Sequence, residues 1–352
     1  MSVVLLSDAT PYAQRTDREL AAALSMQGVD VAVEPCHELV LSTVAAHGHR
    51  LAARWAHQRP DVVIAHGWLA GLATQVAGRT AGLSFIQRFD RLTPAEEDPA
   101  RARLERAIAR GAALILAPGT EQMERLTAIG VPRQRIRVVP LGVDTSAFSD
   151  RGPRWDRTDR RRLVVADDLR SPDAISTLIG ILPSLPSCEL LVIGPPSSTD
   201  PLQHEVARGL IAAAEHRRVG DRLRFVGPVE DMDLPGLLRS ADVVVSPRTD
   251  VGDVSLVLRA MACGVPVVAA DAGAVSDAVA DGVTGVLVPP RSPAVLGDAI
   301  RGLLGDPLAR ESYGLAATDR ARARFSWSVI SAATRRAIDE VLTLPWESEA
   351  AS

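Results

Sequence analysis

Lysine is absent from this chain of 352 residues, because all 39 of its basic residues are arginine. A chain without lysine cannot form a Schiff base through a side chain or hold phosphates through a P-loop lysine. No apolar run reaches the length of about 18 residues that crosses a bilayer, so we expect no transmembrane segment. The start, MSVVLLSDAT, is short and has no basic flank, and we interpret it as a first strand rather than a signal peptide.

Cysteine is scarce, and the three that occur, Cys36, Cys188 and Cys263, are scattered without the spacing of a metal site. This usage argues against a disulfide framework and is typical of a reducing compartment, so we expect a cytoplasmic protein. The net charge is −4, and the arginine-rich runs are short and local, with no long basic stripe that includes aromatic residues, so nucleic acid is not an expected partner. Neither a glycine-rich dinucleotide fingerprint nor a G-x-S-x-G elbow follows any strand, which disfavours a dehydrogenase or a hydrolase.

The length favours two domains, and the pattern of apolar runs favours the α/β class. Two series of buried strands alternate with helices, separated by the polar connector DTSAFSDRGPRWDRTDRR. Strands that are apolar without alternation indicate parallel sheets covered on both faces. We therefore predict two doubly wound, Rossmann-like domains facing a central cleft, the first over residues 1–150 and the second over 151–330. Residues 331–352 would form a helix and tail that pack back toward the first domain.

The apolar periodicity also predicts where the helices lie. In the first half, we expect them over 16–27, 42–58, 69–81, 100–110 and 120–129. In the second half, we expect them over 172–182, 200–218, 233–239, 254–262, 293–304, 307–323 and 326–342.

Several segments carry more information than the fold. LRFVGPVEDMDLPGLLRSADVVVSP, AMACGVPVVAADAGAVSDAVADGVTGVLVPP and FSWSVI occur in one order in the second half, and PDVVIAHGWLAGLATQVAGRTAGLSFIQRF and GVPRQRIRVVPLGVDTSAF occur in the first. Together these segments resemble the retaining glycosyltransferases of family 4, which have the GT-B architecture. The resemblance covers nearly the whole chain.

The resemblance implies transfer of a hexose-type sugar from a nucleotide sugar, with retention of anomeric configuration and without a metal or other cofactor. It implies that an arginine and a lysine neutralise the diphosphate of the donor. Two glutamates eight positions apart would hold the donor sugar and the ribose, a histidine of the first domain would contact the sugar, and a glycine loop would let the phosphates approach the backbone.

The positions that match these roles hold other residues in this chain. They are Val251 and Arg259 for the two glutamates, Asp168 and Asp173 for the arginine and the lysine, and Asp90 for the histidine. The segment DATPYAQRTDREL, which matches the glycine loop, contains no glycine. Arginine in place of a carboxylate removes an acceptor and supplies only donors.

Two explanations stay open. The site has drifted after a loss of catalysis, or it has been retuned around Arg170, Arg248 or Arg259 and the helix N-terminus near residues 254–256. Structural roles also stay open: Asp168 and Asp173 as solvated loop residues, Arg259 as an ion-pair partner of Asp253 or Asp271, and His66 as a turn residue rather than an acceptor contact.

The candidate site residues fall into two groups. On the donor side they are Asp168, Arg170, Asp173, Arg248, Ser255, Leu256, Arg259, Gly273 and Asp277. On the acceptor side they are Gln14, Arg15, His66 and Asp90.

We therefore predict a glycosyltransferase-like protein that is diverged or catalytically inactive, acting as a binding or scaffolding subunit beside an active glycosyltransferase. The alternative is an active glycosyltransferase with a non-standard donor site, which would bind a nucleotide sugar and a small-molecule acceptor.

Overall fold

The computed structural model describes residues 1–8, 10–36, 39–166, 169, 172–194, 200–248 and 254–343. The chain divides into two compact units, one formed by Met1–Gly142 with Trp327–Ser352 and the other by Val143–Ser326. The boundaries that we predicted at residues 150 and 330 lie a few residues further along the chain.

The first unit alternates strands and helices and ends with the last helix of the chain. Its strands are β1 (Ser2–Ser7), β2 (Asp30–Pro35), β3 (Val62–His66), β4 (Phe85–Arg88), β5 (Leu114–Ala117) and β6 (Ile136–Val138). Its helices are α1 (Pro11–Ser25), α2 (Val44–Trp55), α3 (Trp68–Ala81), α4 (Pro99–Gly111), α5 (Thr120–Ala128) and α13 (Trp327–Thr343).

The second unit repeats this alternation. Its strands are β7 (Arg161–Ala166), β8 (Cys188–Ile193), β9 (Leu223–Gly227), β10 (Val243–Ser246), β11 (Val267–Ala270) and β12 (Gly285–Val288). Its helices are α6 (Asp173–Ile181), α7 (Pro201–His216), α8 (Leu234–Arg239), α9 (Ser255–Ala262), α10 (Gly273–Ala278), α11 (Pro293–Gly305) and α12 (Pro307–Arg320).

Each unit is built on a six-stranded sheet, in the order β2-β1-β3-β4-β5-β6 and β12-β11-β10-β7-β8-β9. The paired strands of both sheets run parallel. Neighbouring residues of a strand point to opposite faces, and Leu5 and Leu6 are both fully buried, so helices cover both faces of the sheet. The predicted α/β class with two Rossmann-like sheets is confirmed.

Most predicted helices are present, with shifted ends. We expected the first helix at residue 16, but α1 begins at Pro11, because Thr10 caps it by accepting a hydrogen bond from the Ala13 N–H at 3.2 Å. Proline is also well suited to the first helical position. The segment after β11, expected as a turn, contains the short helix α10.

The last helix packs within the first unit. Gln27 Nε2 donates to Ser331 Oγ at 2.7 Å, and Arg137 Nε donates to Glu340 Oε2 at 3.0 Å. Within the described ranges, no helix is long and apolar enough to cross a membrane.

Candidate functional site

In the first unit, the carboxyl ends of three neighbouring strands bring polar side chains into one row. Ser7 ends β1 and lies beside His66, which ends β3. His66 in turn lies beside Arg88, which ends β4. The order of the sheet reverses between β1 and β3, and ligands of doubly wound sheets bind at the carboxyl ends of the strands at such a switch point.

His66 is buried between two carboxylates. Its Nδ1 lies 2.9 Å from Asp17 Oδ1 and its Nε2 lies 2.7 Å from Asp90 Oδ2. An ionised carboxylate can only accept a hydrogen bond, so both ring nitrogens carry a proton and the ring is an imidazolium. Burial alone lowers the pKa of His66, but the charges of Asp17 and Asp90 and their hydrogen bonds outweigh burial and raise this pKa to about 10.

The same cluster contains a buried guanidinium. Arg88 Nε lies 3.8 Å from Asp90 Oδ1, and neither Arg88 Nη1 nor Nη2 has a hydrogen-bond partner within the described part of the chain. Burial raises the pKa of Asp90, but the positive charges of His66 and Arg88 outweigh burial, and the net effect is a lowered pKa. Asp17 and Asp90 thus balance the charges of His66 and Arg88.

Asp17 was missed by the sequence analysis. Its side chain is buried on α1, where it bonds to His66 and also accepts a hydrogen bond from Ser7 Oγ. The sequence does contain a signal for Asp17: helical spacing places this charged residue on the apolar face of α1, between the buried residues Ala13 and Leu20. The predicted residues Gln14 and Arg15 lie on the same helix and are half-buried.

A further carboxylate lies at the start of DATPYAQRTDREL, the segment that the sequence analysis assigned to the glycine loop. Asp8 accepts hydrogen bonds from the backbone N–H groups of Ala70 at 2.6 Å and Leu69 at 3.4 Å, at the N-terminus of α3. Burial raises its pKa, and these hydrogen bonds reduce the rise. Gly67 is needed beside it, because a Cβ at Gly67 would lie 2.2 Å from Asp8 Oδ2. The N-terminus of α3, which could otherwise bind an anion, is therefore already occupied by the carboxylate of Asp8.

In the second unit, a cavity of about 390 Å³ opens beside the carboxyl ends of β10, β11 and β12, next to α6 and α11. Asp173 and Thr177 of α6 line it on one side, and Arg248 lines it after β10. Arg291 and Ser292, which follow β12, line it as well. The structure thus brings the predicted donor-side residues Asp173 and Arg248 to one cavity, and it adds Arg291, which the sequence analysis did not single out.

The other predicted donor-side residues do not line this cavity where the structure describes them. Asp168, Arg170 and Val251 lie outside the described residues. The rest lie on two helices: Ser255, Leu256 and Arg259 on α9, and Gly273 and Asp277 on α10.

Arg259, the charged residue of an otherwise apolar helix, is buried and contacts both a carboxylate and an aromatic ring. Its Nη1 lies 3.1 Å from Asp231 Oδ1, and its guanidinium carbon lies 4.8 Å from the ring centre of Phe148. We expected Asp253 or Asp271 as the partner. Asp253 lies outside the described residues, and the ion pair that the structure describes is with Asp231, 28 positions upstream, where no local spacing would reveal it.

Two six-stranded parallel sheets in separate units define the GT-B class of glycosyltransferase folds. The chain superposes on a sucrose-phosphate synthase from Thermosynechococcus elongatus with a TM-score of 0.83 at 21% identity, covering 97% of this chain and 99% of that one. It superposes on the Anabaena protein HepE, solved in complex with UDP, with a TM-score of 0.79 at 18% identity, covering 97% and 100%. Similarity at this identity shows the fold alone.

Sequence comparison shows the family. Residues 1–142 match the model of a glycosyl transferase 4-like domain, and residues 160–306 match that of glycosyl transferases group 1. The D-inositol 3-phosphate glycosyltransferase of Kribbella flavida is 30% identical over 304 residues, covering 78% of this chain and 70% of that protein. The one from Geodermatophilus obscurus is 33% identical over 296 residues, covering 76% and 63%. This chain belongs to glycosyltransferase family 4.

Proposed function

We propose that this protein is a diverged member of family 4 that keeps the fold and has lost the family's nucleotide-sugar transfer. The observation that carries the proposal is the environment of Arg259. At the position matching the second glutamate stands a buried guanidinium that contacts Asp231 and the ring of Phe148. A guanidinium has no acceptor for the hydroxyl groups of a ribose, and its partner and packing commit it to the protein itself.

The first unit supports the same proposal. Asp90 stands where the family's sugar-contacting histidine would be, and one of its oxygens accepts a hydrogen bond from His66. The carboxylate of Asp8 occupies the N-terminus of α3. Both groups are negative in a region where the resemblance implies a neutral contact and a phosphate.

Charge in the second unit points in the same direction. Asp173, in place of the lysine, puts a carboxylate into the cavity. Two like charges about 4 Å apart repel by roughly 4 kcal/mol at an effective dielectric of 20, and solvent reduces this value. Even half of that repulsion would weaken the binding of a diphosphate by more than about tenfold.

The second candidate function is an active glycosyltransferase with a non-standard donor site. The cavity favours it, because Arg248 lies there, whereas Arg259 is engaged elsewhere and Arg170 lies outside the described residues. Under this candidate, the named relatives suggest an acceptor such as D-inositol 3-phosphate, and a UDP-linked sugar is suggested by the ligand of HepE.

We further propose a cytoplasmic location and a role beside an active glycosyltransferase. The three cysteines are free and buried, as suits a reducing compartment. A protein that keeps the fold but not the transfer would serve such a partner by binding or stabilising it.

A turnover assay tests the proposal. The purified protein is incubated with UDP- and GDP-linked sugars, with and without D-inositol 3-phosphate, and released UDP or GDP is measured. The Kribbella flavida relative serves as the positive control. We expect no release above the rate of the protein-free mixture, and co-purification of an active glycosyltransferase from the native cell. Release that requires the protein and disappears in Arg248→Met would refute the proposal and establish the active alternative.

A further inference from the structure

We propose that this protein associates with a second copy of itself through two surface patches of complementary shape and charge. One patch, the arginine face, lies on α4 of the first unit and consists of Arg103, Arg106, Ala107 and Arg110. The other, the acidic turn, precedes α8 of the second unit and consists of residues 230–233. The proposal goes beyond the proposed function, because it concerns an interface between copies and neither sugar transfer nor the binding of a glycosyltransferase.

The arginine face is the solvent side of α4. Arg103, Arg106 and Arg110 are exposed, and within the described part of the chain no carboxylate pairs with any of the three guanidinium groups. By contrast, Arg101 of the same helix pairs with Glu105 at 2.8 Å. The three arginines follow one another at i, i+3 and i+7, and like charges at such spacings destabilise an isolated helix. A face of this kind is suited to a surface of opposite charge.

The centre of the arginine face is a small residue. Ala107 is exposed, and its neighbours on the helix surface are Arg103 at i−4 and Arg110 at i+3. Because the side chain of alanine is a single methyl group, the face is low and apolar there and is surrounded by long charged side chains. None of the exposed large apolar side chains of the described chain belongs to α4. The face therefore lacks the apolar edge with which an amphipathic helix enters a membrane surface.

The acidic turn presents the matching features. Met232 at its tip is 84% exposed, and the other three residues of the turn, Glu230, Asp231 and Asp233, are exposed as well. The backbone is fixed, because the N–H groups of Asp233 and Leu234 both donate to the Glu230 carbonyl at 3.0 Å. Asp231 is engaged with an arginine of its own unit, whereas neither Glu230 nor Asp233 has an ion-pair partner among the described residues.

The two patches fit one another in shape and in charge. A methionine side chain is flexible and adapts to irregular apolar surfaces, so Met232 of one copy can rest on Ala107 of the other. Glu230 and Asp233 then lie around this contact, opposite the arginines. Each such pair joins groups that have no ion-pair partner in the described part of their own chain. An apolar centre with a charged rim is the usual arrangement of a protein interface.

The contact joins two different patches, and this decides how the copies assemble. Each copy carries both patches, so association through them either closes into a symmetric pair or ring or continues as a longer chain. The interface is small and largely electrostatic, so it should depend on protein concentration and on salt. The Debye length falls from about 10 Å at 0.1 M salt to about 3 Å at 1 M, where exposed charges no longer attract one another over the contact.

Sedimentation equilibrium of the full chain, between about 1 and 300 µM, measures the association. At about 0.05 M salt, we expect the weight-average mass to rise above that of one chain as the concentration increases, and at about 1 M salt to return to it. Met232→Glu should weaken the association at least about tenfold, or by about 1.4 kcal/mol. Met26→Glu is the matched control, because Met26 is 90% exposed and lies outside both patches; it should leave the association unchanged.

A charge exchange between two variants tests the pairing itself. Arg103→Glu with Arg106→Glu reverses the first patch, and Glu230→Arg with Asp233→Arg reverses the second. Each variant alone should remain monomeric, because like charges then face one another. An equimolar mixture of the two should associate again, because every contact between unlike variants joins opposite charges. Recovery in the mixture also shows that neither variant has lost its fold.

Arg208→Glu with Arg336→Glu is the matched control for the first reversal, because both arginines are exposed, lie outside the patches and change the net charge by the same amount. This control should associate like the unmodified protein. The mass of one chain at every concentration in low salt, equal weakening by either control, or a mixture that stays monomeric would each overturn the proposal. The turnover assay decides the proposed function separately, because release of UDP or GDP does not depend on association between copies.

Discussion

The charged state of His66 makes the stability of this protein depend on pH in a direction that can be calculated. The pKa of this ring rises from an ordinary value of 6.5 to about 10 in the folded chain. A pKa raised by folding stabilises the fold fully below pH 6.5, and this stabilisation is lost as the pH rises through 10. Between the two values the free energy of unfolding falls by about 1.4 kcal/mol per pH unit.

From pH 7 to pH 8.5, this group should therefore remove about 2 kcal/mol of stability. The chain has no lysine that would titrate nearby. Burial raises the pKa of the thiols of Cys36, Cys188 and Cys263 to about 11 or 12. Those thiols also lower stability at high pH, but only above the ordinary thiol pKa of 9.0, which is why the window ends at pH 8.5.

Urea unfolding followed by tryptophan fluorescence measures the effect, since Trp55 is buried in the same unit. His66→Gln should lower the free energy of unfolding at pH 7 by about 3 kcal/mol, because at least one of the two carboxylates, Asp17 or Asp90, loses its buried positive partner. It should also remove the pH slope. His57→Gln, at an exposed histidine, should change neither. If the free energy of unfolding of the unmodified protein does not change between pH 7 and 8.5, or if it falls equally in His66→Gln, the conclusion that His66 is a buried imidazolium is refuted.

Two further predictions concern arginines of the second unit. The free energy of unfolding of Arg259→Glu should be about 1 kcal/mol lower than that of Arg259→Ala, because the new carboxylate faces that of Asp231. Urea unfolding measures this difference, and adding Asp231→Asn to both variants should cancel it. Arg162 and Glu189 form a buried pair with Nε and Oε1 2.7 Å apart. Removing either partner alone should cost about 3–5 kcal/mol, and Arg162→Met with Glu189→Leu together should cost much less; equal costs for single and double variants would contradict this.

Much of the fold could be predicted from local patterns. Strands such as Val243–Ser246 are continuous apolar runs, and such runs between amphipathic helices indicate parallel sheets. Helix ends were harder to predict, because they depend on caps. The start of α1 is decided by the hydroxyl of Thr10, which the apolar periodicity does not register.

The candidate sites could be predicted only in part. His66 and Asp90 were each singled out, but their contact spans 24 positions and the contact with Asp17 spans 49. Arg291 carried no local signal, since it lies in an exposed turn after a strand. It becomes relevant only because the strand order places the ends of β10 and β12 on either side of β11.

Sequence by itself determined the class of fold and indicated the family, because apolar periodicity and motif order are properties of the linear chain. That Arg259 stands at the position of a family glutamate remains a prediction from the same motifs. Only the tertiary structure decided what the charged side chains do. It set Arg259 against Asp231 and Phe148, enclosed His66 between two carboxylates, and brought Arg248 and Arg291 to one cavity. The physical reason is that the effect of a charge depends on its burial and on the distance to its partners, and both arise only when distant segments meet.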